Sequence, residues 1–164
     1  MDYKIIDNFL DQETFLKIQK NILFNPEFRW QLLNSATGKD LNDGISFVHL
    51  FKFYDHYDSG RSYLIKPIIN KIPFKEKIWR IKANLYPRNE NNHRYANHVD
   101  MEDPHEGCIF YLNTNNGKTI LEDIVEIDSI ANRALFFDSS KMHTSTTCSD
   151  EPYRANIIFN YFKS

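Results

Sequence analysis

The sequence predicts a mainly β chain with its helices confined to the N-terminal part. Three observations lead there. From Ile78 onward the chain is a succession of short apolar runs separated by turn-forming residues, whereas helix-period stretches lie only before Lys71. Strands that follow helices, rather than alternate with them, indicate a sandwich or rolled sheet and not a doubly wound fold. Aromatic residues are abundant (13 Phe, 9 Tyr, 2 Trp), Gly is scarce (5) and 41% of residues are hydrophobic, which suits a packed β-rich core and argues against disorder. At 164 residues the chain is expected to be one domain, with a lead-in over about 1–75 and a β core over about 78–164.

Taken in order, Ile5-Ile6 within Tyr3–Phe9 suits an opening strand. Asp11 can cap a helix, with Glu13 in its first turn favourable to the helix dipole. Phe15, Ile18 and Ile22 recur at helical spacing, with Leu16 and Leu23 beside them, and predict one apolar stripe packed on a sheet. Phe28–Leu33 reads as a short strand, Asn34–Gly44 as a polar loop bordering the mouth of a site, and Ile45–Tyr54 as a long aromatic strand. Tyr57–Gly60 breaks that strand, and a second helix follows to about Lys71, with Pro67 beginning or kinking it. In Ile78–Tyr86, Trp79, Ile81, Ala83 and Leu85 alternate with Arg80, Lys82, Asn84 and Tyr86, so the polar set faces either solvent or a cleft. Met101–Gly107 is a charged loop and Cys108–Asn113 a strand; Thr114–Gly117 turns into strands Lys118–Leu121 and Ile124–Ile127. Asp128–Arg133 turns again before the buried strand Ala134–Asp138, and Ala155–Tyr161 forms a last apolar run.

The net charge of −2 provides no strong field for nucleic acid or an anionic membrane. Cys108 and Cys148 are too few for a disulfide framework and point to a reducing, cytoplasmic setting, with Cys108 in the core and Cys148 in a loop. The start lacks the apolar segment of a signal peptide, and no run is long enough to span a bilayer.

Chemistry concentrates in the second half. His98 and Asp100 flank Val99 on an extended segment, so their side chains point the same way and can grip one metal ion while leaving most of its coordination sphere open. His143, just past the Ala134–Asp138 strand, is the best third ligand; Asp103 and Asp138 are nearby carboxylates without the same geometry. Two histidines and one carboxylate with open positions form the ligand set of non-haem Fe(II) oxygenases. Arg154 opens an apolar strand and there needs an anion, which a dicarboxylate co-substrate would supply. His49, His56, His93 and His105 read as structural or solvent-facing.

The ordered set Leu85-Tyr-Pro87, His98-Val-Asp100, Ile109-Phe-Tyr-Leu-Asn113, Leu135-Phe-Phe137, His143 and Arg154 resembles the 2-oxoglutarate and Fe(II)-dependent dioxygenases, most closely their prolyl-hydroxylase branch. The N-terminal half also resembles the lead-in of small stand-alone oxygenases of phage and marine microbes. The resemblance implies a double-stranded β-helix (jelly roll), with His98, Asp100 and His143 as Fe(II) ligands and Arg154 and Tyr111 holding the 5-carboxylate of 2-oxoglutarate. It places Tyr86 and Thr119 beside the co-substrate as well. The implied reaction takes dioxygen, releases succinate and carbon dioxide, and hydroxylates an unactivated C–H bond. Peptidyl proline is the implied substrate, with a free amino acid or other small molecule as the alternative. The segment from Tyr86 to His98 is two residues longer than in that branch and lacks its glycines.

Two rivals come from other classes. A non-catalytic jelly-roll binding module needs neither an open metal site nor a buried cation. Dioxygenases acting on alkylated nucleic acid usually carry a second arginine six residues after the first, where this chain has Asn160, and a mildly acidic chain suits phosphate binding poorly.

Overall fold

A seven-stranded and a three-stranded antiparallel sheet make up most of the molecule. The computed structural model describes residues 2–37, 43–57 and 59–163. The predicted loop Asn34–Gly44 therefore lies partly outside the described residues. Among those described, no helix is long and apolar enough to cross a membrane.

The elements follow one another as β1 (Tyr3–Ile6), α1 (Gln12–Leu23), β2 (Gln31–Leu33), β3 (Ser46–Phe53), the short α2 (Lys66–Ile69), β4 (Ile78–Pro87) and β5 (Glu106–Tyr111). Then come β6 (Asn115–Leu121), β7 (Val125–Ser129), β8 (Ala134–Asp138), β9 (His143–Ser145) and β10 (Tyr153–Tyr161). The large sheet runs β1-β8-β5-β10-β4-β3-β2, and the small one β7-β6-β9. The lead-in is not a separate layer, because its three strands β1, β2 and β3 extend the large sheet at both edges.

The helix is formed by local chemistry and held by packing. Asp11 accepts a hydrogen bond from the Thr14 amide at 2.9 Å, satisfying one free N–H of the first turn. Phe15, Ile18 and Ile22 are buried as the stripe predicts, while Leu16, off the stripe, is exposed. They pack on the outer face of the large sheet with Phe110 of β5, Leu112 just after it, and Ala155, Ile157 and Phe159 of β10. The opposite parity of β5 and β10, Ile109, Tyr111 and Ile158, with Leu135 and Phe137 of β8, meets Leu121 and Ile127 of the small sheet. The large sheet is thus covered by helix on one face and partly by the small sheet on the other. The space between the two sheets is where inward-facing polar residues collect.

Several boundaries differ from the sequence reading for identifiable reasons. The strand expected at Phe28–Leu33 is only Gln31–Leu33, because Phe28 is pulled into the core against Trp30, His49 and Phe51. The turn expected at Thr114–Gly117 is already strand from Asn115, where a register shift against β7 absorbs the irregular residues. β7 continues to Ser129, taking in the first two residues of the turn expected at Asp128–Arg133. Pro67 sits in the first turn of α2, where its missing N–H costs nothing. Cys148 lies in a loop but is fully buried, its thiol directed to the Glu151 carbonyl at 3.4 Å.

Candidate active site

β4 and β10 run side by side, and their register sets the floor of the site. Arg80 stands opposite Asn160, Lys82 opposite Ile158, Asn84 opposite Asn156, and Tyr86 opposite Arg154. All eight residues share the face turned toward the small sheet, so the polar half of the β4 alternation lines a cleft and not solvent. Lys82, Asn84, Tyr86, Asn156 and Ile158 line that cleft together with His98, Asp100 and His143. Ala36 and Thr37 also line it, which brings the Asn34–Gly44 loop to its mouth. Asp43 secures this loop: its carboxylate accepts from the Thr37 hydroxyl at 2.5 Å and from the Ala96 amide at 2.6 Å.

His98 and His143 are brought together by backbone pairing. The segment before His98 runs along β9 and the residues after it, with Tyr95 N–H donating to the Ser145 carbonyl at 3.0 Å. His98 and His143 then exchange both backbone hydrogen bonds, at 3.0 and 2.9 Å. Asp100 follows one extended step later, so ligand atoms of His98, Asp100 and His143 all lie within 4.8 Å of one another. Asp103 and Asp138 are outside this group; the Asp138 carboxylate instead caps the turn at the Ser140 amide, at 3.1 Å.

The protonation states suit a metal. His98 Nδ1–H donates to the Ala96 carbonyl at 3.3 Å, and His143 Nδ1–H to the Lys141 carbonyl at 2.8 Å. Each ring therefore presents a lone pair at Nε2, the arrangement in which a backbone acceptor fixes the tautomer of a metal-binding imidazole. Burial, with His143 nearby, pushes the His98 pKa down to about 4. Burial lowers that of His143 too, so both rings are neutral near pH 7. Burial alone would raise the Asp100 pKa, but Arg80, His143 and Ser139 outweigh it and hold the carboxyl well below the usual range. The donor set thus fits a divalent metal, with neutral imidazole nitrogens and an ionised carboxylate on one side of an otherwise open space.

The support of Asp100 was not legible in the sequence. Arg80 forms an ion pair with Oδ1. Oδ2 accepts from the Ser139 hydroxyl at 2.7 Å and from Asn160 Nδ2 at 2.8 Å, and Arg80 Nε donates to Asn160 Oδ1 at 2.9 Å. Three separate strands or strand ends thus orient one carboxylate. The only sequence signals were the polar parity of Arg80 and the polar Asn160 in an apolar run.

Arg154 is fully buried. Its Nε donates to Ser129 Oγ at 2.7 Å and its Nη2 to Thr119 Oγ1 at 2.8 Å; Thr119 in turn shares a hydrogen bond with the Tyr111 hydroxyl at 2.8 Å. The guanidinium lies over the rings of Tyr86 (5.5 Å) and Tyr111 (5.8 Å). Nη1 has no partner, and Arg154 makes no ion pair among the described residues. The sequence-predicted Tyr86, Tyr111, Thr119 and Arg154 are therefore one cluster, of which Tyr86 also lines the cleft. Gly117 is a further member that sequence reasoning did not single out. A Cβ there would come within 2.6 Å of Arg154 Cδ and 2.7 Å of the Thr147 carbonyl, so only glycine lets the arginine stem pass.

No family model matches the sequence, and no curated protein matches it. Solved structures do. A prolyl-4-hydroxylase from Pseudomonas putida superposes with a TM-score of 0.68 at 14% identity, over 99% of this chain and 92% of that one. A 2OG-Fe(II) oxygenase family oxidoreductase from Burkholderia pseudomallei gives 0.75 at 10% identity, over 99% and 85%. The non-haem α-ketoglutarate-dependent epimerase SnoN of nogalamycin biosynthesis gives 0.71 at 12% identity, over 98% and 77%. SnoN has also been solved with Fe3+, α-ketoglutarate and nogalamycin RO. The fold is thus that of the 2-oxoglutarate/Fe(II) oxygenases. The prolyl-hydroxylase branch suggested by the sequence is among these structural neighbours.

Proposed function

We propose that this chain is a single-domain Fe(II)- and 2-oxoglutarate-dependent dioxygenase, a double-stranded β-helix that acts in the cytoplasm. It hydroxylates an unactivated C–H bond and releases succinate and carbon dioxide. The observation that carries the proposal is Arg154, a buried cation with a free Nη1 and no carboxylate partner among the described residues, in the same inter-sheet space as the His98, Asp100 and His143 group. A buried charge is tolerated when something answers it, and a dicarboxylate that also reaches the metal would do so.

His98 and His143 through Nε2, and Asp100 through its carboxylate, would hold the iron. Bound there, Fe(II) with 2-oxoglutarate supplies the activation of dioxygen and the oxidising power for C–H hydroxylation. The protein's own part is placement. Arg80, Ser139 and Asn160 keep Asp100 ionised and fixed, and the backbone carbonyls of Ala96 and Lys141 fix the two imidazoles. Arg154, steadied by Ser129 and Thr119, takes the 5-carboxylate in a charge-assisted contact, with Tyr111 and Tyr86 around it.

The resemblance in Leu85–Pro87 and Ile109–Asn113 supports peptidyl proline as the substrate. A specific observation, the unmatched Lys82 in the cleft, favours the second reading of a free amino acid or other small metabolite. Nucleic acid is disfavoured by the mild acidity and by the lack of a second arginine on β10. The test is anaerobic titration of the Fe(II)-loaded protein with 2-oxoglutarate, followed by succinate release in air. A visible charge-transfer band and slow uncoupled succinate formation are expected. A folded, metal-loaded protein that yields neither is a binding module. Proline peptides, free amino acids and methylated oligonucleotides, compared as stimulants of succinate release, separate the substrate classes; stimulation by methylated oligonucleotides alone would overturn both hydroxylase readings.

A further inference from the structure

Lys82 is a cation that lines the cleft itself, and the proposed reaction as described gives it no partner. It lines the cleft with His98, Asp100 and His143. In register, the residues directly opposite it are Ile158 on β10 and Leu50 on β3, neither of which can pair with its charge. Among the described residues it has neither a hydrogen bond nor an ion pair. Asp100, the acid that acts on it, is already held by Arg80, Ser139 and Asn160. Burial, with Arg80 nearby, pushes its pKa down to about 8, the mark of a charge that lacks compensation. A divalent metal held by His98, Asp100 and His143 would add further positive charge to the same cleft.

The co-substrate does not resolve this imbalance. On β4, Lys82 lies four positions before Tyr86, the cross-strand partner of Arg154, about 13 Å of strand. A diacid anchored at Arg154 and chelating the metal through its other end has both carboxylates answered already.

We propose that Lys82 is a specificity-determining residue that pairs with a carboxylate on the primary substrate, which makes that substrate a small organic acid or free amino acid. This rests on the dioxygenase reading and deepens it. Ile109 and Ile158, which line the cleft with Lys82, provide apolar surface for the body of such a molecule, whose C–H bond the paired charge would hold beside His98, Asp100 and His143. A neutral internal residue of a peptide offers Lys82 no such group.

The experiment compares the wild-type, Lys82→Met and Lys82→Arg proteins, loaded with Fe(II). One arm measures 2-oxoglutarate affinity from the anaerobic charge-transfer band. The other uses a panel of free L-amino acids and short aliphatic acids, each against its own primary amide. It measures calorimetric binding in the presence of 2-oxoglutarate and stimulation of succinate release. At least one acid is expected to bind and stimulate about tenfold better than its amide. Lys82→Met should lose about tenfold or more in acid affinity, as expected for a lost hydrogen bond to a charged group, while 2-oxoglutarate affinity stays within about twofold. Lys82→Arg should recover part of the acid preference. Equal binding of acids and amides, or no binding of any acid, overturns the inference. A Lys82→Met loss in 2-oxoglutarate affinity matching that of an Arg154 variant also overturns it, and assigns Lys82 to the co-substrate. Absence of the band and of succinate in the wild type instead counts against the dioxygenase reading.

Discussion

Replacing Arg154 by Met should act in opposite directions on the free protein and on its complex. In the free protein the guanidinium makes two hydrogen bonds, to Ser129 and Thr119, and leaves Nη1 unpaired. Two hydrogen bonds from a charged donor contribute about 1.5–3 kcal/mol each. Their loss is offset by no longer burying an ion, which costs several kcal/mol, and an apolar side chain of similar length fills the space. The two contributions nearly cancel, so the unfolding free energy of the ligand-free protein should move by less than about 2 kcal/mol in either direction. With co-substrate the balance disappears. Losing the pair to its 5-carboxylate costs about 1.5–3 kcal/mol, and roughly 3–5 if the pair is fully buried. That is a weakening of about tenfold to a few thousandfold.

The assay is urea unfolding of the metal-free proteins, with thermal unfolding of metal-loaded proteins at increasing 2-oxoglutarate. At one hundred times its Kd, a ligand stabilises by about 2.7 kcal/mol; the wild type should show this rise and Arg154→Met should not over the same range. An Arg154→Met protein that binds 2-oxoglutarate like its parent would refute the reasoning and leave Lys82 as the next candidate anchor.

Other expectations follow from the same site. His143→Ala should lose metal binding and succinate formation while keeping the wild-type circular dichroism, because the metal is held by a preformed site and not by the fold's core; retained metal affinity would count against His143 as a ligand. Gly117→Ala forces a Cβ against Arg154 Cδ and the Thr147 carbonyl. It should destabilise by about 1–3 kcal/mol as an overpacked site does and weaken 2-oxoglutarate, whereas unchanged affinity would show that Arg154 can move without consequence. In metal-free protein, stability should fall as pH drops from about 6.5 toward about 4. Over that window the unfolded imidazoles take up protons that buried His98 and His143 refuse. A urea midpoint that stays level through the window, or does not flatten in His98→Asn, would contradict this.

What the sequence determined by itself was everything governed by local periodicity and chemistry. The Asp11 cap and the Phe15, Ile18 and Ile22 stripe fixed α1 because helix geometry relates near neighbours only. The alternation in Ile78–Tyr86 separated core from cleft from Arg80 onward, although it left open whether the polar half met solvent. At the start of the strand the register shift at Asn160/Tyr161 puts Ile78 in the core with Ile81 and Ala83, and Trp79 packs instead against Tyr54, His105 and Phe162. The pairing of His98 with Asp100 on one side of an extended segment needed no more than period two. Relations between strands distant in sequence were decided by tertiary structure. Arg80 meets Asp100 because β4 and β10 register places it opposite Asn160, and both reach one carboxylate. His143 completes the group because β9 pairs with Leu121 on one side and with the His98 backbone on the other. Arg154 rests on hydroxyls from β6 and β7 across the inter-sheet space, passing a glycine whose need is invisible without the arginine above it. Register and sheet-to-sheet packing are long-range quantities, set by the whole core, and no window of sequence contains them.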